Sequence, residues 1–269
     1  MIDVKPDHDG NGVTAVINDL DLGETLDCGQ AFRWIRTDEN TYTGAFLDAP
    51  LTITQNGNSF YFHNTSLEEF ENIWYDYFDL GTDYNDIKQR LLSDPTLAKA
   101  CAFAGGIRLL RQDLWECLCS FIISQNNNIP RIKGIIKRLC EHYEHFPSAE
   151  ELSLETVSSL DYLRAGFRAK YIIDASQKFS SGVVSLDILE KLDTDSARKQ
   201  LMLIKGVGPK VADCVLLFGM HRTDAFPKDV WIKRVMEEYY PDGLPECTKG
   251  IEGIAQQYLF HYIRNLENT

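Results

Sequence analysis

The chain has 269 residues, of which 44% are hydrophobic, so it can hold one large domain or two smaller ones with a substantial core. Its formal net charge of −13 argues against a large basic surface for nucleic acid, and its seven scattered cysteines, without a Cys-x-x-Cys pair, indicate a reducing intracellular compartment. The acidic N-terminus does not resemble a signal peptide, and no apolar run is long enough to span a membrane.

The acidic excess lies in the N-terminal part of the chain. Residues 1–100 contain 18 acidic and 6 basic side chains, whereas residues 101–269 contain 22 and 21. Net charge governs solubility and non-specific association rather than the charge of any one face. The C-terminal part can therefore still present a basic face to an anionic partner.

Residues 31–63 predict an antiparallel β-meander, because aromatic and β-branched residues alternate with polar ones. Turn-forming residues at 38–40, 48–50 and 56–58 separate the predicted strands. Ser66 and Glu69 then form a capping box, which predicts a helix that continues to about Phe78.

The rest of the chain is predicted to be helical. Ser148 and Glu151 form a second capping box. Apolar residues recur at helical spacing in residues 114–123, 132–143, 169–179, 198–204, 211–218, 230–239 and 251–263. The predicted fold class is therefore α+β, with a small N-terminal antiparallel sheet domain in residues 1–100 and a mainly helical body in residues 101–269.

A Gly-x-Gly sequence interrupts the helical pattern within Leu-Ile-Lys-Gly-Val-Gly-Pro-Lys-Val-Ala-Asp-Cys-Val, residues 203–215. Gly206 and Gly208 can take backbone angles that are closed to other residues, and Pro209 suits the first position of a helix. We therefore expect a helix-hairpin-helix motif over about residues 196–220. Free backbone N–H groups at such a helix start bind phosphate.

Polar and reactive side chains follow this hairpin. Lys210 lies in the first turn of the second helix, and Cys214 lies on the same face four residues later. Asp229 follows a proline-marked loop at the start of another predicted helix. Lysine, cysteine and aspartate beside a phosphate-binding hairpin form a candidate catalytic group. The Gly-x-Gly hairpin alone is more typical of a plain packing unit with a solvated lysine.

Five separated blocks carry a resemblance to the 8-oxoguanine DNA glycosylase family, within the helix-hairpin-helix/Gly-Pro-Asp superfamily. They occur in the family's order and span nearly the whole chain. The blocks are Cys-Gly-Gln-Ala-Phe-Arg-Trp (28–34), Gly-Ile-Arg-Leu-Leu-Arg-Gln-Asp (106–113), Ser-Gln-Asn-Asn-Asn-Ile-Pro-Arg (124–131), the hairpin through residue 214, and Ala-Gln-Gln-Tyr-Leu-Phe (255–260).

This resemblance implies a bifunctional DNA glycosylase and AP lyase of base excision repair. Its partner would be double-stranded DNA containing 8-oxoguanine opposite cytosine, and the protein would act as a monomer. By resemblance, the Lys210 amine would displace the damaged base at C1′ and form a Schiff base that leads to β-elimination. Asp229 would stabilise the positive charge that develops on the sugar, and it is equally suited to cap a helix.

The resemblance also implies a base pocket. The Gly29 carbonyl would accept the N7–H of the oxidised base, Gln256 would bind the Watson–Crick edge, and Phe260 and Cys214 would contact the two faces of the base. Gln256 and Phe260 are four residues apart, so a helix would place them on one face. Spacing alone would favour Phe260 as an ordinary core residue and Cys214 as an inert buried thiol.

A second set of residues would act where the damaged nucleotide has left the duplex. By resemblance, Asn126 would fill the vacated space, and Arg131 and Arg168 would contact the orphaned cytosine. Phe167 would insert beside that cytosine, where the family more often has tyrosine. Without the trailing arginine, Asn126-Asn127-Asn128 would be typical of a polar turn.

The resemblance further implies phosphate binding by the amides of Gly206, Gly208 and Lys210. Family members bind a structural monovalent or divalent cation through hairpin carbonyls, here those of Met202, Ile204 and Val207. No cofactor is expected for catalysis, and an iron–sulfur cluster is not expected because residues after 214 offer only Cys247.

Two other functions remain open from the residues. A monofunctional alkyl-base glycosylase of the same superfamily would use water in place of the lysine. A non-enzymatic helix-hairpin-helix DNA-binding module would need neither Asp229 nor a base pocket.

Overall fold

The computed structural model describes residues 2–7 and 10–266, and the chain divides into two compact units. The first unit combines Met1–Arg111 with Lys228–Thr269, and the second unit is Gln112–Pro227. Among the described residues, no helix is both long enough and apolar enough to cross a membrane.

The first unit contains an antiparallel sheet of six described strands in the order β1-β2-β6-β5-β4-β3. The strands are β1 (Asp3–Pro6), β2 (Gly12–Val16), β3 (Ile35–Asp38), β4 (Thr41–Phe46), β5 (Ala49–Asn56) and β6 (Ser59–His63).

The meander predicted from the sequence is confirmed as β3 to β6, with small shifts at its ends. Phe32 and Trp34 precede the first strand of the meander, and the second turn lies at residues 47–48, so Ala49 already begins β5. Strands β1 and β2 were not predicted. They extend the sheet because β2 pairs with β6 and β1 pairs with β2.

The described helices run in chain order through both units, and both predicted capping boxes are present at Ser66 and Ser148. The helices of the first half are α1 (Leu22–Leu26), α2 (Leu67–Glu69), α3 (Tyr75–Tyr77), α4 (Tyr84–Leu91), α5 (Pro95–Phe103), α6 (Leu114–Ser124) and α7 (Ile129–Tyr143). The others are α8 (Ala149–Ser153), α9 (Ala169–Ser180), α10 (Leu186–Glu190), α11 (Thr194–Leu201), α12 (Pro209–Cys214), α13 (Val230–Tyr239) and α14 (Glu252–Leu266).

Shorter helical turns complete this list. A π-helical turn joins α2 to α3 over Phe70–Trp74, and another follows α12 over Val215–Gly219. Turns of 3-10 helix cover Ser159–Leu163, Gly166–Arg168 and Glu246–Thr248.

The core of the first unit is dominated by aromatic side chains. Trp34 is fully buried and lies within 6.2 Å, between ring centroids, of Trp74, Tyr77 and Phe78. Its indole Nε1 donates to the Tyr77 hydroxyl at 2.6 Å, which pairs the polar atom of a buried ring. From the sheet, Phe62 on β6 contacts Phe70 and Phe78 at 4.8 and 6.0 Å between ring centroids, which packs the sheet onto the helical segment 67–78.

The division between the units differs from the predicted boundary near residue 100. The C-terminal helices α13 and α14 belong with the N-terminal sheet, because α14 packs on α5. The Tyr258 hydroxyl on α14 donates to the Ile107 carbonyl at 3.2 Å, and Arg90 donates to the Lys249 carbonyl. The division into two units therefore depends on contacts between distant parts of the chain. A change in composition along the sequence does not reveal such contacts.

The second unit is organised around α6. Nine of the eleven residues of this helix are buried, which matches the apolar run predicted for residues 114–123. Trp115 Nε1 donates to the Pro147 carbonyl at 2.8 Å, so the one polar atom of that ring is paired. The helix ends at Ser124, directly before the segment that contains the asparagine loop (residues 126–128).

The seven cysteines are all free, and five of them are buried. Burial raises the pKa of the Cys28 and Cys101 thiols to about 11 and that of Cys117 and Cys119 well above the ordinary value. Thiols in such surroundings stay protonated and unreactive near neutral pH. In this structure these four thiols therefore serve as small apolar side chains.

Candidate active site

The two glycines of the hairpin (residues 202–208, between α11 and α12) have different roles. Gly206 has φ +83°, and a Cβ there would lie 2.4 Å from the Tyr171 ring. Gly208 has φ −99° and ψ 179°, which is extended backbone open to any residue, and a Cβ there would meet nothing within 4 Å. The expectation of a special backbone conformation is thus confirmed for Gly206 and wrong for Gly208, whose distinctive property is the open space beside it.

The hairpin leaves backbone groups unpaired on its exposed side. Among the described residues, the amides of Gly206, Gly208 and Lys210 have no acceptor, and the carbonyls of Met202 and Val207 have no donor. The Ile204 carbonyl accepts the Val207 N–H at 3.0 Å and keeps a second lone pair. Each of these amides can donate to an anion, and each of the three carbonyls keeps at least one lone pair for a cation.

Lys210 occupies the second position of α12, directly after Pro209. Its side chain is half-buried, and Nζ lies 5.3 Å from the centroid of the Phe121 ring. That ring stacks on Phe218, with the centroids 5.2 Å apart and the planes 11° from parallel. No carboxylate of the described chain lies within 4.0 Å of the amine, which rests against an aromatic surface instead.

Cys214 lies one turn further along α12 and is 3% exposed. Its carbonyl is 3.9 Å from the Cys117 Sγ on α6. In this structure Cys214 has the surroundings of a buried core thiol, and a contact with a base would need that surface to open.

The three asparagines of the asparagine loop have distinct surroundings. Asn127 Nδ2 donates to the Ile123 carbonyl at 3.0 Å, and Asn128 caps α7 by accepting the Arg131 N–H at 3.0 Å. Asn126 is exposed and left-handed, with φ +47°, and its side chain has no partner within the described ranges. Of the three, Asn126 alone has both polar atoms of its side-chain amide without a partner among the described residues.

The two predicted arginines differ sharply in exposure. Arg131 is exposed, and its guanidinium makes one long contact of 3.4 Å with the Arg164 carbonyl. Arg168 is 2% exposed and donates to the carbonyls of Gln125, Asn126 and Ala165. Burial and the charge of Arg131 lower the pKa of Arg168. Arg168 thus anchors the asparagine loop in this structure, and only Arg131 is displayed as the sequence predicts.

Phe167 precedes α9 in a short 3-10 turn and is 45% exposed, as an inserting side chain needs to be. Its ring lies under the Arg168 guanidinium at 4.4 Å and against the Tyr171 ring at 5.8 Å. These contacts fix the ring on two sides while its remaining edge faces solvent.

Asp229 belongs to the first unit, where it is the N-cap of α13. Oδ1 accepts the Ile232 N–H at 2.8 Å, and among the described residues Oδ2 has no partner. The side chain is half-buried. The helix cap therefore fixes the carboxylate and leaves one oxygen free for a second task.

Gly29 also lies in the first unit, in a turn with φ +92° that favours glycine. The next residue secures this turn, because Gln30 Nε2 donates to the carbonyls of Thr25 and Arg108 at 2.9 and 2.8 Å. Among the described residues, the Gly29 carbonyl accepts no hydrogen bond. It is therefore a fixed and unpaired acceptor, as its predicted role requires.

Gln256 is connected to the same turn through a residue that the sequence reasoning missed. The Gln257 Nε2 donates to the Gln256 Oε1 at 2.7 Å, and the Gln257 Oε1 lies 3.7 Å from the Cys28 Sγ. This chain of contacts orients the Gln256 amide and leaves its Nε2 as the donor. In the sequence, the feature that points to Gln257 is its position directly beside Gln256.

Phe260 lies one turn after Gln256 on α14 and is half-exposed, so it is not an ordinary core residue. The Arg264 guanidinium lies 5.8 Å from the centroid of its ring. The first unit thus brings the Gly29 turn and the α14 pair into one hydrogen-bonded framework, while the second unit carries the hairpin, the lysine and the asparagine loop.

Two family models match consecutive parts of this chain. The model of the 8-oxoguanine DNA glycosylase N-terminal domain matches residues 13–118, and that of the HhH-GPD superfamily base excision DNA repair protein matches residues 119–246.

Solved structures match over nearly the whole length. A structure of MBOgg1 in complex with a low-affinity DNA ligand is 42% identical, has a TM-score of 0.91 and is covered over 99% of both chains. The Clostridium acetobutylicum 8-oxoguanine glycosylase/lyase, in complex with DNA containing cytosine opposite 8-oxoG, is 36% identical, with a TM-score of 0.89 over 99% of this chain and 98% of that one.

The matches to longer proteins are partial. The N-glycosylase/DNA lyase of Saccharomyces cerevisiae is 39% identical over an alignment of 158 positions, which covers 50% of this chain and 42% of the yeast protein. Across three N-glycosylase/DNA lyases that match, the aligned part covers between 42% and 73% of the relative's own length.

Proposed function

The chain belongs to the 8-oxoguanine DNA glycosylase family, and from this premise we propose that it is a bifunctional DNA glycosylase and AP lyase. Its substrate would be duplex DNA that carries 8-oxoguanine, preferably opposite cytosine. The enzyme would extrude the damaged nucleotide, because a stacked base cannot be reached within a duplex.

Lys210 is the proposed nucleophile. Its neutral amine forms a bond to C1′ of the sugar, and the bond from C1′ to the base breaks with its electron pair, which leaves on the base. The amine then loses its proton as the sugar ring opens to a Schiff base. Removal of a C2′ proton from that imine expels the 3′ phosphate, which cleaves the strand. The absence of a carboxylate partner within the described chain leaves Lys210 free for this attack.

Asp229 is the proposed electrostatic partner. Departure of the base builds positive charge on the sugar, and a carboxylate directed at it stabilises the transition state. The structure supports this role because one carboxylate oxygen is fixed by the α13 cap while the other is unpaired among the described residues. The chemistry requires Lys210 and Asp229 to act on the same nucleotide.

Base recognition would depend on the Gly29 carbonyl. 8-Oxoguanine carries a hydrogen on N7 that guanine lacks, so only the damaged base can donate to this acceptor. Undamaged guanine would leave a buried acceptor facing a lone pair, and a mismatch of this kind gives strong discrimination. Gln256 would pair with the Watson–Crick edge, and Phe260 would stack on the ring, with Cys214 at the opposite face once that surface opens.

The asparagine loop would stabilise the duplex after extrusion. The free side chain of Asn126 is suited to occupy the vacated space, and Arg131 can donate to the acceptor edge of cytosine. Phe167 would insert beside that base. Arg168, whose donors are engaged with loop carbonyls, would contribute mainly by holding Asn126, and its contact with cytosine would need some of those bonds to exchange.

The hairpin would hold the DNA backbone. A phosphate would accept from the amides of Gly206, Gly208 and Lys210. The open space beside Gly208 permits close approach, and the left-handed conformation of Gly206 also shapes the turn. The carbonyls of Met202, Ile204 and Val207 fit a structural monovalent or divalent cation, which would supply positive charge beside the phosphate. We assign no cofactor to the chemical step itself.

The observation that carries this proposal is the placement of Lys210. It lies on the helix that begins at an open phosphate-binding hairpin, with no described acidic partner and with its amine held against Phe121. Exposed Lys170 also lies over an aromatic ring, 5.2 Å from the Tyr171 centroid, so the aromatic contact alone does not distinguish Lys210. Its half-buried position on the hairpin helix and the family's surrounding residues do.

A duplex series with 8-oxoguanine opposite each of the four bases tests the proposal. Single-turnover excision and borohydride trapping should both occur, and both should be most efficient opposite cytosine. Excision without any trapped complex would indicate a monofunctional glycosylase. Binding without excision would indicate a non-enzymatic DNA-binding module, and either result would overturn the proposal.

A further inference from the structure

A carboxylate lies directly behind the hairpin that is proposed to bind phosphate. Asp174 on α9 accepts the Lys205 N–H through Oδ2 at 2.6 Å. A negative charge at this place repels a DNA phosphate unless it is compensated. The position therefore needs an explanation, because the same hairpin displays free amides to an anion.

The compensating charge lies one turn along the same helix. Lys178 Nζ is 2.7 Å from the Asp174 Oδ2, and both side chains are only about a quarter exposed, at 29% and 25%. The ammonium also donates to the Leu203 carbonyl at 2.8 Å. The ion pair thus holds two consecutive parts of the hairpin, one through an N–H and the other through a carbonyl.

A third residue on this face of α9 supports the turn itself. Tyr171 precedes Asp174 by three positions, and its ring lies so close to Gly206 that a Cβ there would be 2.4 Å away. The Tyr171 ring also contacts the Phe167 ring, with the two centroids 5.8 Å apart. One helix face therefore joins the proposed inserting residue to the proposed phosphate site.

We propose that Asp174 and Lys178 are positioning residues for the phosphate-binding hairpin. Asp174 engages the Lys205 amide and fixes the turn, so that the amides of Gly206, Gly208 and Lys210 are the ones left for the ligand. Lys178 neutralises Asp174 and thereby removes its repulsion toward DNA. This inference rests on the proposed function, since it assigns these residues to the DNA grip of that same hairpin.

Two substitutions at Asp174 separate the hydrogen bond from the charge. Asp174→Asn keeps an oxygen for the Lys205 N–H and should bind duplex DNA at least as tightly as the wild type. Asp174→Leu leaves that N–H without an acceptor, and the affinity should fall about tenfold, as the loss of one ordered hydrogen bond would give. Affinity is measured by fluorescence anisotropy with a duplex that contains a non-cleavable abasic analogue.

A rescue experiment tests the electrostatic role. Lys178→Met leaves the Asp174 charge uncompensated and should weaken DNA binding by about tenfold. The double variant Asp174→Asn/Lys178→Met should recover to within about threefold of the wild type, because the repulsion is then absent. Lys191→Met is the matched control, since Lys191 is an exposed lysine of the same unit with no ion pair among the described residues, and it should change the affinity little.

A merely structural pair would give a different pattern. The double variant would then bind no better than Lys178→Met, or Asp174→Leu would bind like the wild type, and either result overturns the inference. Thermal melting of each variant shows whether the unit remains folded, and the rescue comparison holds even if Asp174→Leu does not fold.

Borohydride trapping at saturating DNA distinguishes failure of this inference from failure of the proposed function. Variants at Asp174 and Lys178 should be trapped at nearly the wild-type rate once DNA is bound. If the wild type is not trapped but the affinity pattern holds, the proposed chemistry fails and the positioning role stands. If the wild type binds no duplex, both fail.

Discussion

Asp229 caps α13 and is proposed to stabilise positive charge on the sugar, and substitutions can separate these two roles. Asparagine caps a helix as well as aspartate does, so Asp229→Asn should keep the bond to the Ile232 N–H and the melting temperature of the wild type. Loss of the charge should slow single-turnover excision by about a hundredfold, the scale seen when one stabilising group is removed from a transition state.

Asp229→Ala provides the comparison. It removes both the charge and the cap, so it should lower the free energy of unfolding by about 1 kcal/mol and also slow excision. A wild-type excision rate for Asp229→Asn would show that this carboxylate only caps α13.

Predictions for individual residues from the sequence succeeded at some positions and could not succeed at others. Gly29, Asn126 and Phe260 are found with the exposure or free polar group that their predicted roles need. The burial of Arg168 and Cys214 was not predictable, because it depends on carbonyls and side chains from other segments. Motif matches identify which residue is present, whereas three-dimensional neighbours determine which of its atoms are free.

At the scale of elements, alanine substitutions at the two hairpin glycines, Gly206 and Gly208, should have different effects. Gly206→Ala forces a Cβ against the Tyr171 ring in a left-handed conformation, so the free energy of unfolding should fall by about 1–2 kcal/mol or more. Gly208→Ala meets no neighbour and no backbone strain, so stability should be nearly unchanged. Its added methyl group lies where the phosphate would approach, and DNA binding should weaken.

Urea denaturation and anisotropy measurements on both variants check this contrast. Equal loss of stability in the two variants would contradict the different backbone roles. Wild-type DNA affinity in Gly208→Ala would contradict close approach of a phosphate at that position.

Substitutions at Arg131 and Arg168, the two arginines beside the asparagine loop, should also have different effects. Arg131 is exposed with one weak contact, so Arg131→Ala should leave the melting temperature unchanged and reduce the preference for cytosine opposite the lesion. Arg168→Leu leaves loop carbonyls without their donor, so it should lower the free energy of unfolding by about 1.5–3 kcal/mol.

Differential scanning fluorimetry and excision assays opposite each base compare the two variants. Unchanged stability of Arg168→Leu would show that its carbonyl contacts do not anchor the loop. Unchanged base preference in Arg131→Ala would remove that residue from opposite-base recognition.

Elements with strong local signals were predicted well. The capping boxes at Ser66 and Ser148 and the turns of the meander specify their own conformations, and the structure confirms them apart from small shifts at strand ends. Strands β1 and β2 lacked such a signal. β1 is a short polar edge strand, and its pairing with β2 becomes apparent only when β2 is placed beside β6.

At the scale of the whole molecule, charge is divided unequally between the two units. The first unit contains 25 acidic and 13 basic residues, a net charge of −12, and the second contains 15 and 14, a net charge of −1. The composition change along the sequence had located the acidic excess in residues 1–100, but it could not show that residues 228–269 join the same unit. We expect the DNA phosphates, in contrast to the extruded base, to be bound mainly by the less acidic unit through a small number of local cations.

Salt dependence of DNA binding tests this expectation. Each cation–phosphate contact contributes about −0.9 to the slope of log affinity against log salt. Lys205→Gln, at an exposed lysine of the hairpin, should therefore make the slope shallower by about 1 unit. Lys99→Gln, at an exposed lysine of the acidic unit, should leave the slope unchanged. Equal effects of the two substitutions would contradict a localised DNA-binding face.

The central claim is that the Lys210 amine becomes covalently bonded to the sugar of the damaged nucleotide. The wild-type protein is mixed with a duplex carrying 8-oxoguanine opposite cytosine, reduced with borohydride, digested and mapped by mass spectrometry. The account predicts a single sugar adduct on Lys210 and no trapped complex with Lys210→Gln. An adduct on another amine, such as that of Lys205, or undiminished trapping with Lys210→Gln, would contradict it.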